Sequence, residues 1–259
     1  MKPKALLLHA AGTNRDEDAA AALALAGAEP EIVHLNLLKA KERRWEDYRL
    51  LVIPGGFSYA DALGAGRLLA LDLASYFADE IAAFVAAGKP VIGICNGFQA
   101  LVKAGILPGG KVKATLTHNE EGTFECRWVR LGSPASVSVW TRGLRERGLA
   151  LACPIAHGEG RFFVEDKADL EALEAKGQVA LVYADAEGRA AGGAYPANPN
   201  GSLADIAGIC NEAGNVLARP RLWGRGLETG RGWGPSRDPS ATEACLELWK
   251  SGVSYAAQL

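Results

Sequence analysis

Apolar and polar positions along the 259-residue chain alternate between two periods. Short, nearly continuous apolar runs at residues 4–9, 49–53 and 90–94 are too brief for helices and predict strands buried on both faces. Residues 31–35 alternate and carry β-branched side chains, which predicts another strand. Between these runs, spacing near 3.6 predicts helices at 16–26, 61–70, 76–87 and 96–104. Asp16, Glu17 and Asp18 suit the first turn of the first helix, and Gly27, Gly88 and Gly105 suit helix ends. Strands that alternate with helices predict a parallel sheet covered on both faces.

The second half is richer in strands, at 112–117, 123–131, 137–140, 151–156 and 178–184, with a hairpin over 206–217 that turns at 211–214. Helices are expected at 169–175 and 242–257. No internal repeat or low-complexity linker divides the chain. The expected class is α/β, a mostly parallel central sheet flanked by helices with an antiparallel or mixed extension, in a single domain over 1–259.

Composition narrows the function classes. A chain of this length buries well over half of its unfolded surface and needs no disulfide or metal staple. Apolar residues are 49% and charged residues 22%, the balance of a soluble globular protein. The net charge of −2 gives no footprint for nucleic acid or an anionic membrane. The run to Leu8 is too short for a signal-peptide core, and no charge-free stretch is long enough to span a bilayer. Cys95, Cys126, Cys153, Cys210 and Cys245 form no Cys-x-x-Cys pair, which fits reduced thiols and a cytoplasmic protein. All but Cys95 read as small buried hydrophobes. No metal-ligand cluster and no phosphate-binding loop is present.

The candidate chemistry lies in Gly93-Ile94-Cys95-Asn96-Gly97, where an apolar strand runs into a helix. This is a nucleophile elbow with Cys in place of Ser. Gly93 and Gly97 clear a sharp strand-to-helix turn, and the turn lifts the sulfur to the carboxyl edge of the sheet. There a helix N-terminus favours thiolate, and the Asn96 N–H can stabilise an oxyanion. The same residues also read as a buried core cysteine with glycines for packing. A second loop, Pro54-Gly55-Gly56-Phe57-Ser58-Tyr59, follows another apolar strand. Its backbone can approach a ligand closely and supply the second oxyanion donor.

With Ala11-Gly12-Thr13-Asn14, Phe124-Glu125-Cys126-Arg127-Trp128-Val129, Ala156-His157-Gly158-Glu159-Gly160-Arg161-Phe162 and Asn198-Pro199-Asn200-Gly201-Ser202, these segments form six motifs in order. The set resembles the class I, triad-type glutamine amidotransferases, whose core is flavodoxin-like. Within them it is most similar to the glutaminase subunits of phosphoribosylformylglycinamidine synthase. The resemblance implies that Cys95 attacks the glutamine amide, giving a glutamyl thioester and ammonia. It implies an oxyanion hole at Gly56 and Asn96, and substrate contacts from Gln99, His157 and Gly158. It also implies a large synthetase subunit as partner, with a small bridging subunit. ATP and Mg are then expected on the synthetase, with no cofactor in this chain.

The likeness breaks after Gly214-Asn215-Val216-Leu217. The family places His-Pro-Glu-Arg shortly beyond this strand, supplying the base and its orienting acid. Here Leu222 stands in the register of the His and Gly224 in that of the Glu, and no histidine follows His157. His157 is the best placed of the four histidines to approach the site, ahead of His9, His34 and His118. Residues 219–237 hold five Arg, five Gly, two Trp and two Pro against one acid, Glu228. Either this is a basic loop for a partner or a phosphate, or the reading frame shifts between residues 218 and 244. Outside it, the chain carries 23 basic and 29 acidic groups, so the near-neutral total conceals an acidic body. The alternative to an active glutaminase is a catalytically silent structural or regulatory subunit. A related cysteine hydrolase is a third reading, disfavoured by the Asn-Pro-Asn-Gly-Ser and Phe-Glu-Cys-Arg-Trp-Val matches.

Overall fold

The computed structural model describes residues 2–220 and 239–259. Among them, nine strands form one sheet in the order β2-β1-β3-β4-β11-β10-β9-β6-β7. The parallel half comprises β1 (Lys4–His9), β2 (Glu29–His34), β3 (Leu50–Ile53), β4 (Val91–Ile94) and β11 (Val216–Arg219). The antiparallel half adds β10 (Ile206–Cys210), β9 (Val179–Ala184), β6 (Glu125–Gly132) and β7 (Leu151–His157). A separate two-stranded ribbon joins β5 (Ala114–Thr117) to β8 (Arg161–Val164).

Alternation along β1 shows how the sheet builds two cores. Ala5 and Leu7 pack on one side with helices α1 (Asp16–Leu25), α6 (Arg142–Arg147) and α8 (Pro239–Ala256). Leu6 and Leu8 pack on the other with α2 (Leu35–Lys39), α3 (Arg67–Ser75), α4 (Ala78–Ala86), α5 (Asn96–Lys103) and α7 (Lys167–Ala175). All four residues are at most 2% exposed, so β1 is apolar on both faces. The α/β class with a mostly parallel core and an antiparallel extension is as expected.

Three expectations are corrected. The helix expected at 61–70 begins only at Arg67. Tyr59, Ala60, Asp61 and Leu63 instead take positive φ, and the Asp61 carboxylate accepts the Gly66 N–H at 3.2 Å. The strand expected at 137–140 is a loop. Its N–H groups go to two turns, Val137 to the Gly177 carbonyl and Val139 to that of Gly214, rather than to a ladder. His34 is not a mid-strand residue, because it ends β2 and caps α2 by accepting the Asn36 N–H. Helices α2 and α6 and strand β8 had no distinct sequence signal. No helix among the described residues is long and apolar enough to cross a membrane.

Candidate active site

The site is assembled from loops at the carboxyl ends of β1, β3 and β4, where open α/β sheets place ligands. β4 is central, flanked by β3 and β11. Its last residue leads into Cys95 at φ 53° and ψ −106°, a conformation that costs a non-glycine residue energy. The surroundings hold it there. Cys95 N–H donates to the Arg219 carbonyl at the end of β11 (2.9 Å), and its own carbonyl accepts Gln99 N–H in the first turn of α5 (3.1 Å). A Cβ on Gly97 would lie 2.0 Å from the Ile53 carbonyl oxygen, and one on Gly93 would lie 2.7 Å from that of Gly97. The Gly-x-Cys-x-Gly spacing is thus a consequence of α5 resting directly on β3 and β4.

The Gly55-Gly56 loop lies against this elbow. A Cβ on Gly55 would be 3.2 Å from the Cys95 Cβ. Gly56, at φ 133°, leaves no room for a side chain, since Asn14 N would be 2.7 Å away. An isolated bridge pairs Thr13 with Gly56, and Phe57 N–H donates to the Gly12 carbonyl. The Ala11-Gly12-Thr13-Asn14 turn is therefore the support that fixes the Gly-Gly loop over Cys95.

The opposite wall follows β7. Asn119 holds it by donating to the His157 carbonyl (2.8 Å), while its Oδ1 accepts Gly160 N–H and lies 3.1 Å from His157 Nδ1. Asn200 donates to the Gly160 carbonyl, and Ser202 Oγ accepts Phe162 N–H. The Asn198-Pro199-Asn200-Gly201-Ser202 motif is thus a latch on the His157 loop. Gln99 Nε2 donates to the Glu159 carbonyl at 2.6 Å. Lys103 bonds the Ala65 carbonyl and pairs with the Glu159 carboxylate, tying both walls to α5.

Between these walls opens a cleft of about 340 Å³. Of the residues singled out from sequence, Cys95, Gly56, Gln99, His157 and Gly158 line it. The Asn96 side chain is buried elsewhere, accepting from Ser58 Oγ and donating to Asp61 and Gln99. Its N–H, the first of α5, has no partner within the helix. The cleft is also lined by Asn14 and Phe124, named in the motifs, by His118, weighed among the histidines, and by Arg15, Asp18 and Trp249, which sequence reasoning did not select. Asp18 was read only as part of a helix start, and Arg15 lay between the Ala11-Gly12-Thr13-Asn14 motif and that helix.

Two histidines reach the cleft, His118 and His157, while His9 and His34 line a neighbouring groove. His9 there bonds Asp16 at 2.6 Å. Burial pushes the His157 imidazole down to about 4, and its Nε2 is buried without a hydrogen-bond partner. It is therefore neutral at pH 7 and far from the pKa that suits a general base. No cluster of metal-ligating side chains occurs among the described residues.

Two cysteine and charge expectations change. Cys153, Cys210 and Cys245 are buried, but Cys126 is exposed. Burial raises the thiols of Cys210 and Cys245 to about 11. Arg219, read as the start of the basic stretch, closes β11 opposite Ile94 and is fully buried. From residue 221 on, that stretch, with Leu222 and Gly224, lies outside the described residues.

Residues 2–222 match the CobB/CobQ-like glutamine amidotransferase domain family. The chain is 58% identical to the phosphoribosylformylglycinamidine synthase subunit PurQ of Treponema denticola, over 98% of this chain and 99% of that protein. It is 41% identical to the PurQ subunit of Dehalococcoides mccartyi over 100% and 99% of the two chains. The solved structure of PurLQS from Thermotoga maritima contains a chain of similar fold, with a TM-score of 0.73, 32% identity, and coverage of 98% of this chain and 99% of that one. The chain therefore belongs to the class I glutamine amidotransferases, in the branch of PurQ-type phosphoribosylformylglycinamidine synthase subunits.

Proposed function

We propose that the chain is the glutaminase subunit of phosphoribosylformylglycinamidine synthase, with Cys95 as its nucleophile. The observation that carries this reading is the Cys95 elbow, held at positive φ against the Gly55-Gly56 loop inside the cleft. Cys95 Sγ attacks the side-chain amide carbon of glutamine. The negative charge that develops on the amide oxygen meets the N–H groups of Gly56 and Asn96. Collapse releases ammonia and leaves a glutamyl thioester, which water hydrolyses to glutamate. Gln99, His157 and Gly158 shape the binding wall. His157, neutral and pinned by Asn119, serves as a wall rather than as the base.

The ammonia serves a large synthetase partner, assembled with a small bridging subunit. There ATP, with Mg, activates the amide oxygen of formylglycinamide ribonucleotide and ammonia displaces phosphate. No cofactor is assigned to this chain. The test is glutamine hydrolysis with and without the synthetase, beside a Cys95→Ala control and mapping of a glutamine-like electrophile. Partner-stimulated turnover, lost in Cys95→Ala, with label on Cys95 supports the reading. A chain that binds the synthetase yet never turns over is the silent subunit instead.

A further inference from the structure

Resting on the glutaminase reading, we infer that the Asn96 side chain, held between Ser58 and Asp61, is a positioning group that fixes the two oxyanion donors relative to each other. Those donors stand on separate elements. Gly56 belongs to the loop after β3, and the Asn96 N–H opens α5. The β3–β4 ladder ends at the pair Ile53 and Gly93, short of both donors. Beyond it the Asn96 side chain makes the connection. Ser58, two residues past Gly56, donates its hydroxyl to Asn96 Oδ1. Asn96 Nδ2 donates to Asp61 Oδ1 at 2.8 Å. Asn96 and Ser58 are both buried, so water does not compete for the bond between them.

The partners fix which way the amide faces. A carboxylate only accepts, so the nitrogen must face Asp61 and the oxygen the Ser58 hydroxyl. The loop depends on this hold. Tyr59, Ala60 and Asp61 take φ of 55°, 55° and 52°, a left-handed run that residues with a Cβ resist. Asp61 Oδ1 also accepts the Gly66 N–H at 3.2 Å, which closes the far end of the loop. Gly66 in turn rests on α5, where a Cβ on it would be 3.0 Å from the Asn96 carbonyl oxygen. The Gly-Gly loop is thus held from the β1 side by the Phe57 N–H on the Gly12 carbonyl, and from the α5 side by the Asn96 clamp. An oxyanion hole works through donors that are in place before the charge develops. A slip of the loop along α5 therefore weakens the transition state more than it weakens glutamine binding. The Asn96 backbone N–H survives replacement of its side chain by alanine, so the clamp can be cut with both donors still present.

The test compares Asn96→Ala, Ser58→Ala and the double variant in the full chain assembled with its synthetase. Glutamine turnover is measured beside the rate at which iodoacetamide alkylates Cys95, followed by peptide mapping. In that alkylation the sulfur bonds to carbon as iodide leaves, and no charge develops on a carbonyl oxygen. Displacing a donor rather than deleting it is expected to lower kcat of Asn96→Ala about 10- to 100-fold. Its KM and its Cys95 alkylation rate should stay within about threefold of the parent's, as for an interaction made only in the transition state. Ser58→Ala should lower kcat in the same manner, and the double variant should fall no further than Asn96→Ala, because both cut one clamp. Parent-like kcat in either single variant overturns the assignment. So do additive losses, or a fall in kcat matched by the alkylation rate, the sign of a merely structural role. Should Asn96→Ala fail to fold, Ser58→Ala decides by the same split between kcat and alkylation. A parent complex that never turns over glutamine removes the glutaminase reading and this inference with it, whereas an active parent with parent-like variants removes the inference alone.

Discussion

Gly97→Ala separates the elbow's geometry from its mere presence. In a helix, alanine is favoured over glycine by up to about 1 kcal/mol. Here the added Cβ would stand 2.0 Å from the Ile53 carbonyl oxygen, 2.8 Å from its carbon and 3.0 Å from Ile53 Cγ2. Two of those atoms are backbone at the end of β3, which is fully buried. They cannot swing aside, so α5 must retreat by about 1 Å or more to restore ordinary contact. Overpacking of this kind costs about 1–3 kcal/mol, and a rigid backbone neighbour places it near the top of that range. With a urea dependence of about 2–3 kcal/mol per molar, the unfolding midpoint should fall by about 1 M. The same retreat moves Cys95 and Asn96 away from Gly55-Gly56, and misplacement by about 1 Å costs on the order of 100-fold in turnover. Urea unfolding followed by fluorescence, with glutaminase activity of the folded fraction, measures both. Gly158→Ala is the control, since nothing lies within 4 Å of its Cβ position and its φ is not left-handed. Its midpoint should be unchanged. A Gly97→Ala protein with the parent's midpoint and turnover would refute the close packing of α5 on β3.

Other expectations concern groups around the elbow. The unfolded state takes up a proton at His157 before the folded state does, because the folded imidazole is held down at about 4. Stability should therefore rise with pH between about 4 and 6.5, by up to about 3 kcal/mol from this residue, and His157→Gln should flatten that part of the profile. Asp61→Ala removes the acceptor shared by Asn96 Nδ2 and Gly66 N–H; chemical denaturation should show a loss of about 1–3 kcal/mol. A thiol reagent at neutral pH should modify exposed Cys126 in the folded protein but reach Cys153, Cys210 and Cys245 only on unfolding, as peptide mapping would show. Protein from its native source should differ in intact mass from this sequence if the reading frame shifts between 218 and 244, and agree with it if the basic loop is genuine.

The parallel half was legible because its strands are apolar on both faces and its helices end at glycines. Gly93, Gly97, Gly55 and Gly56 were legible as chemistry because each marks a place where backbone comes close to backbone. What escaped was non-local. The tight turns of 58–66 are held by Asn96 of α5 and by the Asp61 carboxylate, not by their own periodicity. The loop at 137–140 looked like a strand because Val137 and Val139 alternate with Ser138, but its hydrogen bonds go to turns after α7 and β10. β8 is short and pairs outside the main sheet. Asp18 carried no signal beyond a helix start and Arg15 none, and only folding brings both into the cleft that holds Cys95. The burial of Arg219 was hidden by its basic neighbours in sequence, though its pairing with Ile94 makes it the end of a core strand.

Nitrogen transfer that starts at Cys95 can be followed directly with an isotope. Glutamine labelled with ¹⁵N in its side-chain amide would be supplied to the chain assembled with its synthetase, ATP, Mg and formylglycinamide ribonucleotide. The amidine product should carry the label with the chain intact, and Cys95→Ala should abolish labelling while added ammonium still forms product. Labelled product from the Cys95→Ala chain, or none from the intact one, would contradict transfer through Cys95.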